Sequence, residues 1–140
     1  MNLLKNNSFE EGWTDDLNRQ IPNNWEFWYA GRDVENWIDS HDYSRFSAPE
    51  MVHKQRKDIP ESEHDDFFFD NSDTTLKIFA PKWKTMWCGL YQNVDLPQRG
   101  KYALSLHLNA DIVDHWEDGK KIPAPDPQSG MMRAVVDGIG

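Results

Sequence analysis

Apolar residues along this chain come in short alternating runs cut by turn residues, a period of two rather than the 3.6 of a helix. The clearest run is 101–110: Tyr102, Leu104, Leu106, Leu108 and Ala110 alternate with Ala103, Ser105, His107 and Asn109. Such alternation predicts a strand with one buried face and one face open to water or ligand. Residues 87–96 alternate as well: Cys88, Leu90, Gln92 and Val94 point one way, and Trp87, Gly89, Tyr91 and Asn93 the other. Between these runs, Leu96-Pro97-Gln98-Arg99-Gly100 has the composition of a turn, so the two are expected to form an antiparallel hairpin. Shorter strand candidates lie at 3–4, 25–29, 51–53, 74–79 and 132–136. Many short strands with dense Asn, Asp, Gly and Pro between them predict an all-β fold, an antiparallel β-sandwich.

Two stretches do not alternate, about 30–73 and 111–130, and both are expected to be long loops. The first carries Gly31-Arg32-Asp33, Trp37, the charged run 54–66 and then Phe67-Phe68-Phe69, whose rings need cover. The second holds Trp116 and the stiff run Ile122-Pro123-Ala124-Pro125-Asp126-Pro127. The final residues, 131–140, look like a strand running into a loop. About seven strand candidates stand against the roughly eight of a double-sheet jelly roll. A smaller variant, a truncated piece, or a sheet completed by a strand from a neighbouring subunit would each account for the difference.

The 140 residues suit a single domain, 1–140, able to bury a real core. Hydrophobic content is 38% and mean hydropathy −0.83, so that core is lean, yet 13% aromatic residues set the chain apart from disordered sequences. Net charge is −9, and the densest basic run, Lys54-Gln55-Arg56-Lys57, is followed closely by acids. Nothing supplies the basic face that phosphate backbones demand, so nucleic acid is not expected as a partner. No apolar run approaches the ~20 residues that span a bilayer, so no membrane insertion is expected. The lone Cys88 rules out an internal disulfide framework and makes a thiolate metal site a poor reading. An acidic surface rich in tryptophan suits a neutral polar ligand and tolerates a divalent cation.

Two blocks carry a family resemblance. Asn2-Leu3-Leu4-Lys5-Asn6-Asn7-Ser8-Phe9-Glu10, followed by Pro22-Asn23-Asn24-Trp25, resembles the opening of the carbohydrate-binding-module jelly rolls, the galactose-binding-domain-like β-sandwiches. Thr75-Leu76-Lys77-Ile78-Phe79, then Gly89-Leu90-Tyr91-Gln92-Asn93-Val94-Asp95-Leu96-Pro97 and Gly100-Lys101-Tyr102-Ala103-Leu104-Ser105, resembles the middle of the same modules in the same order. The resemblance implies a jelly roll that holds a poly- or oligosaccharide without chemistry of its own, at an extracellular or particle surface. It also implies a structural Ca²⁺ held partly by Glu10, with an aspartate from a closing strand that is not visible here.

The residues themselves offer aromatic platforms. Indole and phenol faces stack on the C–H patches of sugars while amides and carboxylates bond the hydroxyls. Trp87 and Tyr91 on one strand, Trp116 on a loop and then Trp83 are the candidate ligand face, with Gln92 and Asn93 adjacent. Against this, large aromatics are usually core, but seven core tryptophans in so polar a chain would be unusual. Glu10 is the metal candidate. Acid pairs such as Asp114/Glu117 or Glu61/Glu63 have no selecting signature, the five histidines lack ligand spacing, and no nucleophile elbow is present, so no enzymatic activity is expected. Asn6-Asn7-Ser8 matches the N-glycosylation pattern but overlaps the structural phrase. The rival reading is an assembly domain of a fibre, surface layer or phage particle, its aromatics buried against a neighbour, with self-association or strand completion.

Overall fold

A computed structural model describes residues 2–30, 48–69, 72–80, 86–126, 130, 132 and 134–135. The described residues are mostly β, in several small sheets with one short helix. The chain divides into two compact units, 1–103 and 104–140, each described by itself.

The first unit is built on a four-stranded sheet in the order β1-β2-β4-β5: Trp13–Asp16, Arg19–Pro22, Glu50–Gln55 and Thr74–Phe79. β1 and β2 form a tight hairpin with Trp13 opposite Pro22 and Asp16 opposite Arg19. Its turn residue Leu17 sits at φ 55°, a left-handed conformation that costs a side chain about 1–2 kcal/mol. β4 runs parallel to β2 at Arg19↔Met51 and pairs fully with antiparallel β5, Glu50 opposite Phe79 through Gln55 opposite Thr74. In β4, Met51 and His53 are buried while Val52 and Lys54 are half-buried, the one clean inside–outside alternation in the sheet. Two short strands, β3 (Glu26–Tyr29) and β6 (Cys88–Tyr91), make a separate antiparallel ladder.

Three of the sequence expectations for strands hold here. Residues 25–29, 51–53 and 74–79 fall on β3, β4 and β5. Residues 87–96 hold a strand only over Cys88–Tyr91, and 3–4 are in no strand but lead into the turn at 5–8 that contains Asn6. The expected 30–73 loop is in part regular. It contains β4, two 3₁₀ turns (Arg56–Asp58 and Glu61–Glu63) and a helical turn α1 (His64–Phe67); residues 31–47 lie outside the described residues. These turns solve the problem of the Phe run. Phe68 is buried, capped by the Arg56 guanidinium 4.7 Å over its ring and by the His64 ring edge-on at 5.4 Å. His64 Nε2 in turn lies 2.9 Å from both the Arg56 and Ile59 carbonyls.

The second unit contains one hairpin, β7 (Val113–Glu117) with β8 (Lys120–Pro123), where a long loop was expected. Its turn, Asp118-Gly119, has φ of 48° and 76°, the doubly left-handed backbone of a type I′ hairpin turn.

The largest correction concerns residues 101–110. The alternation is as strict as read, but the segment belongs to no strand, and all of it is exposed: Tyr102 46%, Leu104 52%, Leu106 53% and Leu108 49%. The hairpin expected across Leu96–Gly100 is therefore not formed; 97–100 bend, and the Tyr102 hydroxyl donates back to the Gln98 carbonyl at 2.5 Å. Periodicity decides which side chains share a face, while a strand also needs a neighbour to bond and a layer to cover it. Of the last candidate, 132–136, residues 132, 134 and 135 are not in a strand, and 133 and 136 lie outside the described residues.

Candidate functional site

The β3–β6 ladder brings aromatic and acidic side chains together. Directly opposed residues of an antiparallel pair share a face. The register sets Glu26 opposite Tyr91, Phe27 opposite Leu90, Trp28 opposite Gly89 and Tyr29 opposite Cys88. One face therefore carries Glu26, Trp28, Gly89 and Tyr91, and the other Phe27, Tyr29, Cys88 and Leu90. On the second face, Phe27 and Tyr29 stack at 6.1 Å and Arg19 of β2 lies 4.9 Å over the Tyr29 ring. Burial pushes the Cys88 thiol up to about 11, which makes it a poor nucleophile near neutral pH.

The first face is the candidate site. Trp28 and Trp87 meet edge to face, centroids 5.8 Å apart at 80°, the favoured arrangement of two quadrupoles. Trp87 is fixed further by its carbonyl, which accepts the Ala30 N–H at 2.7 Å and extends the ladder. Gly89 is what lets the Trp28 indole lie down across the strand: a Cβ there would sit 2.8 Å from Trp28 Nε1. At the far end Tyr91 is 42% exposed, and its hydroxyl donates to Glu26 Oε2 at 2.5 Å. That hydrogen bond, first among the causes, raises the Tyr91 phenol above its ordinary value. The face thus presents indole and phenol surface beside a carboxylate and a hydroxyl. Substituting Gly89→Ala is expected to push the Trp28 indole off the strand, shift tryptophan fluorescence and cost about 1–3 kcal/mol in denaturant unfolding, as overpacking does.

The sequence-predicted residues fare differently from one another. Trp87 and Tyr91 fall on one face, and the register sets Trp28 and Glu26 on it as well. Their shared parity in 26–29 was the available signal. Gln92 is engaged within the chain: its Oε1 accepts the Lys5 N–H at 2.8 Å while its Nε2 donates to the Lys5 and Asn24 carbonyls at 3.1 and 2.7 Å. It clamps the N-terminal turn to the 23–24 bend. Asn93 is exposed past the end of β6. Trp116, 61% exposed on β7 with the Lys121 ammonium 5.9 Å over its ring, belongs to the second unit. Trp83 lies outside the described residues.

Glu10 is engaged by the chain itself. Its Oε1 accepts the Ser72 hydroxyl at 3.1 Å and the Asp73 N–H at 3.0 Å, tying the N-terminal turn to the start of β5. Calcium takes about 6–8 oxygens. Among the described residues there is no group of three or more His, Cys, Asp or Glu that could hold a metal. The Asn6-Asn7-Ser8 glycosylation pattern is likewise put to other use. Asn6 is 1% exposed, and its amide is spent on backbone partners.

A separate hollow of about 130 Å³ lies among Leu17, Asn18, Arg19, Tyr29, Ala48, Pro49 and Glu50. It is well below the ~300 Å³ at which small-molecule pockets begin, and its Arg19 is already paired with Asp16 at 2.9 Å. Among the described residues no helix is long and apolar enough to cross a membrane. Compared with family models, curated proteins and solved structures, the chain has no match.

Proposed function

We propose that this chain is a non-catalytic carbohydrate-binding domain that holds an oligo- or polysaccharide against the Glu26–Trp28–Trp87–Tyr91 face. The carrying observation is that face itself: two indoles locked edge to face, and beside them a solvent-exposed phenol already hydrogen-bonded to a carboxylate. Sugar C–H patches would rest on the rings, with the Tyr91 hydroxyl and Glu26 carboxylate bonding hydroxyls. The galactose-binding-like jelly roll and an extracellular or particle-surface setting belong to the same reading, through the two sequence blocks.

Retention on a glycan panel is the test. Trp87→Ala and Tyr91→Ala should each weaken retention about tenfold, the equivalent of ~1.4 kcal/mol, with unfolding midpoints tracked separately. Trp116→Ala reports on the second unit independently. Undiminished retention in both Trp87→Ala and Tyr91→Ala removes this face. Release of reducing sugar by the unmodified chain removes the non-catalytic reading.

An assembly role on the same scaffold is the second reading. The exposed apolar comb of Tyr102, Leu104, Leu106 and Leu108 favours it.

A further inference from the structure

We infer that residues 101–111 form an antiparallel two-fold strand pair with the same segment of a second copy of this chain, centred on Leu106. The inference does not depend on the saccharide reading; it rests on the segment's exposure and its sequence symmetry.

Exposed alternating strands are usually guarded by charge, since a flat apolar edge invites pairing with another chain. Here residues 102–110 carry no formal charge in a chain of net −9, and their apolar side chains stand about half exposed on one parity. The charge that would repel two copies elsewhere is missing from this stretch.

The segment also reads as its own complement. In an antiparallel pair about Leu106, Leu106 faces Leu106, Leu104 faces Leu108 and Tyr102 faces Ala110, all on one face. On the other face Ser105 meets His107 and Ala103 meets Asn109. At each end Lys101 meets Asp111 of the other copy, a cross-strand pair of opposite charge. Asp111 already accepts Lys121 and retains a second oxygen for this contact. Slipping the register by one residue breaks every leucine–leucine pair and sets Leu104 and Leu106 against polar residues in either direction. Slipping it by two takes Leu106 off the two-fold axis and separates Lys101 from Asp111. The two-fold axis makes the contact isologous and closed, so it predicts a dimer and not a fibre.

The experiment uses the full chain with Cys88→Ser as background and single cysteines at Leu106 or Ala103. Paired strands about Leu106 place two Leu106→Cys thiols within the ~4.4–6.8 Å Cα spacing a disulfide accepts. Two Ala103→Cys thiols would be six residues apart along the ladder, about 20 Å at ~3.3 Å per residue. Under mild oxidant, Leu106→Cys should cross-link at least about tenfold faster than Ala103→Cys. Sedimentation of the uncrosslinked background chain should show a monomer–dimer equilibrium, which Leu106→Lys shifts to monomer by setting like charges opposite each other. Far-UV circular dichroism checks that the Leu106→Lys chain keeps its fold; Leu106 is exposed, so it should. A chain that stays monomeric across the concentration range, equal cross-linking at the two positions, or a dimer untouched by Leu106→Lys each overturns the inference.

Discussion

Asn6→Ala is expected to cost about 2–4 kcal/mol of unfolding free energy, from lost hydrogen bonds and backbone strain together. Asn6 is 1% exposed, and its side chain is the knot of the N-terminal half of the first unit. Its Nδ2 donates to the Asn23 carbonyl at 2.9 Å and the Gly12 carbonyl at 3.3 Å, and its Oδ1 accepts the Glu11 N–H at 2.9 Å. Its own carbonyl accepts Trp25 Nε1 at 3.1 Å and the Phe9 N–H at 3.2 Å. Alanine would take the partner from two backbone groups in a part-buried site, the Asn23 carbonyl and the Glu11 N–H, while the Gly12 carbonyl keeps the Asn23 N–H. It would also have to adopt φ 46°, which asparagine tolerates and alanine resists. Asn6→Gly separates the terms: it loses the same bonds but not the conformational tolerance, so it should recover about 1 kcal/mol of the loss. Urea unfolding followed by tryptophan fluorescence measures both. A loss below about 0.5 kcal/mol for alanine, the range of an ordinary surface substitution, would show that the turn holds without this side chain.

Asn6 also shows where sequence reading succeeds and stops. The Asn-Leu-Leu…Phe-Glu…Pro-Asn-Asn-Trp phrase drew attention as a family signature. Its residues prove to be bound to one another through Asn6, Asn23 and Trp25. Glu10 and Gln92 fall in the same class. Both looked like ligand groups because they are polar and sit in a recognisable phrase, and both satisfy backbone groups more than 60 residues away in sequence. No local pattern announces such a partner. Strand parity puts Trp87 and Tyr91 on one face and Glu26 and Trp28 on one face, and only the β3–β6 register brings the two pairs together.

The missed hairpins have separate causes. β1 is exposed along its length and its turn lacks glycine, so neither alternation nor turn chemistry marked it. β7–β8 did carry an Asp-Gly turn, but its outward-facing polar strands and the following prolines read as loop. For 101–110 the pattern was legible and the partner was not, because pairing depends on what lies opposite. The two-fold pair inferred above would supply that missing neighbour.

His53→Leu is expected to stabilise the chain by about 1–3 kcal/mol at neutral pH, the reverse of the usual outcome of a substitution at a buried site. His53 is 8% exposed on β4, and both of its ring nitrogens are buried without a hydrogen-bond partner. Its backbone N–H is satisfied by Gln20 Oε1 at 2.8 Å, and its ring meets Trp13 edge-on at 4.2 Å. Leucine keeps the backbone bond, faces Leu76 across the ladder and removes two stranded polar atoms, at the expense of the aromatic contact. Burial lowers the His53 pKa below its ordinary value of 6.5, so folding favours the neutral ring. The unfolded chain then binds a proton before the folded one does. The stability associated with neutral His53 is fully present above pH 6.5, and it drains away as pH falls from there toward the lowered folded value, at up to about 1.4 kcal/mol per pH unit. His53→Leu should therefore raise the denaturation midpoint at pH 7, and its advantage should widen at pH 5. An advantage that stays constant between those two pH values would show that His53 keeps its ordinary proton affinity in the fold, and that its ring reaches solvent or a partner through motion of Trp13.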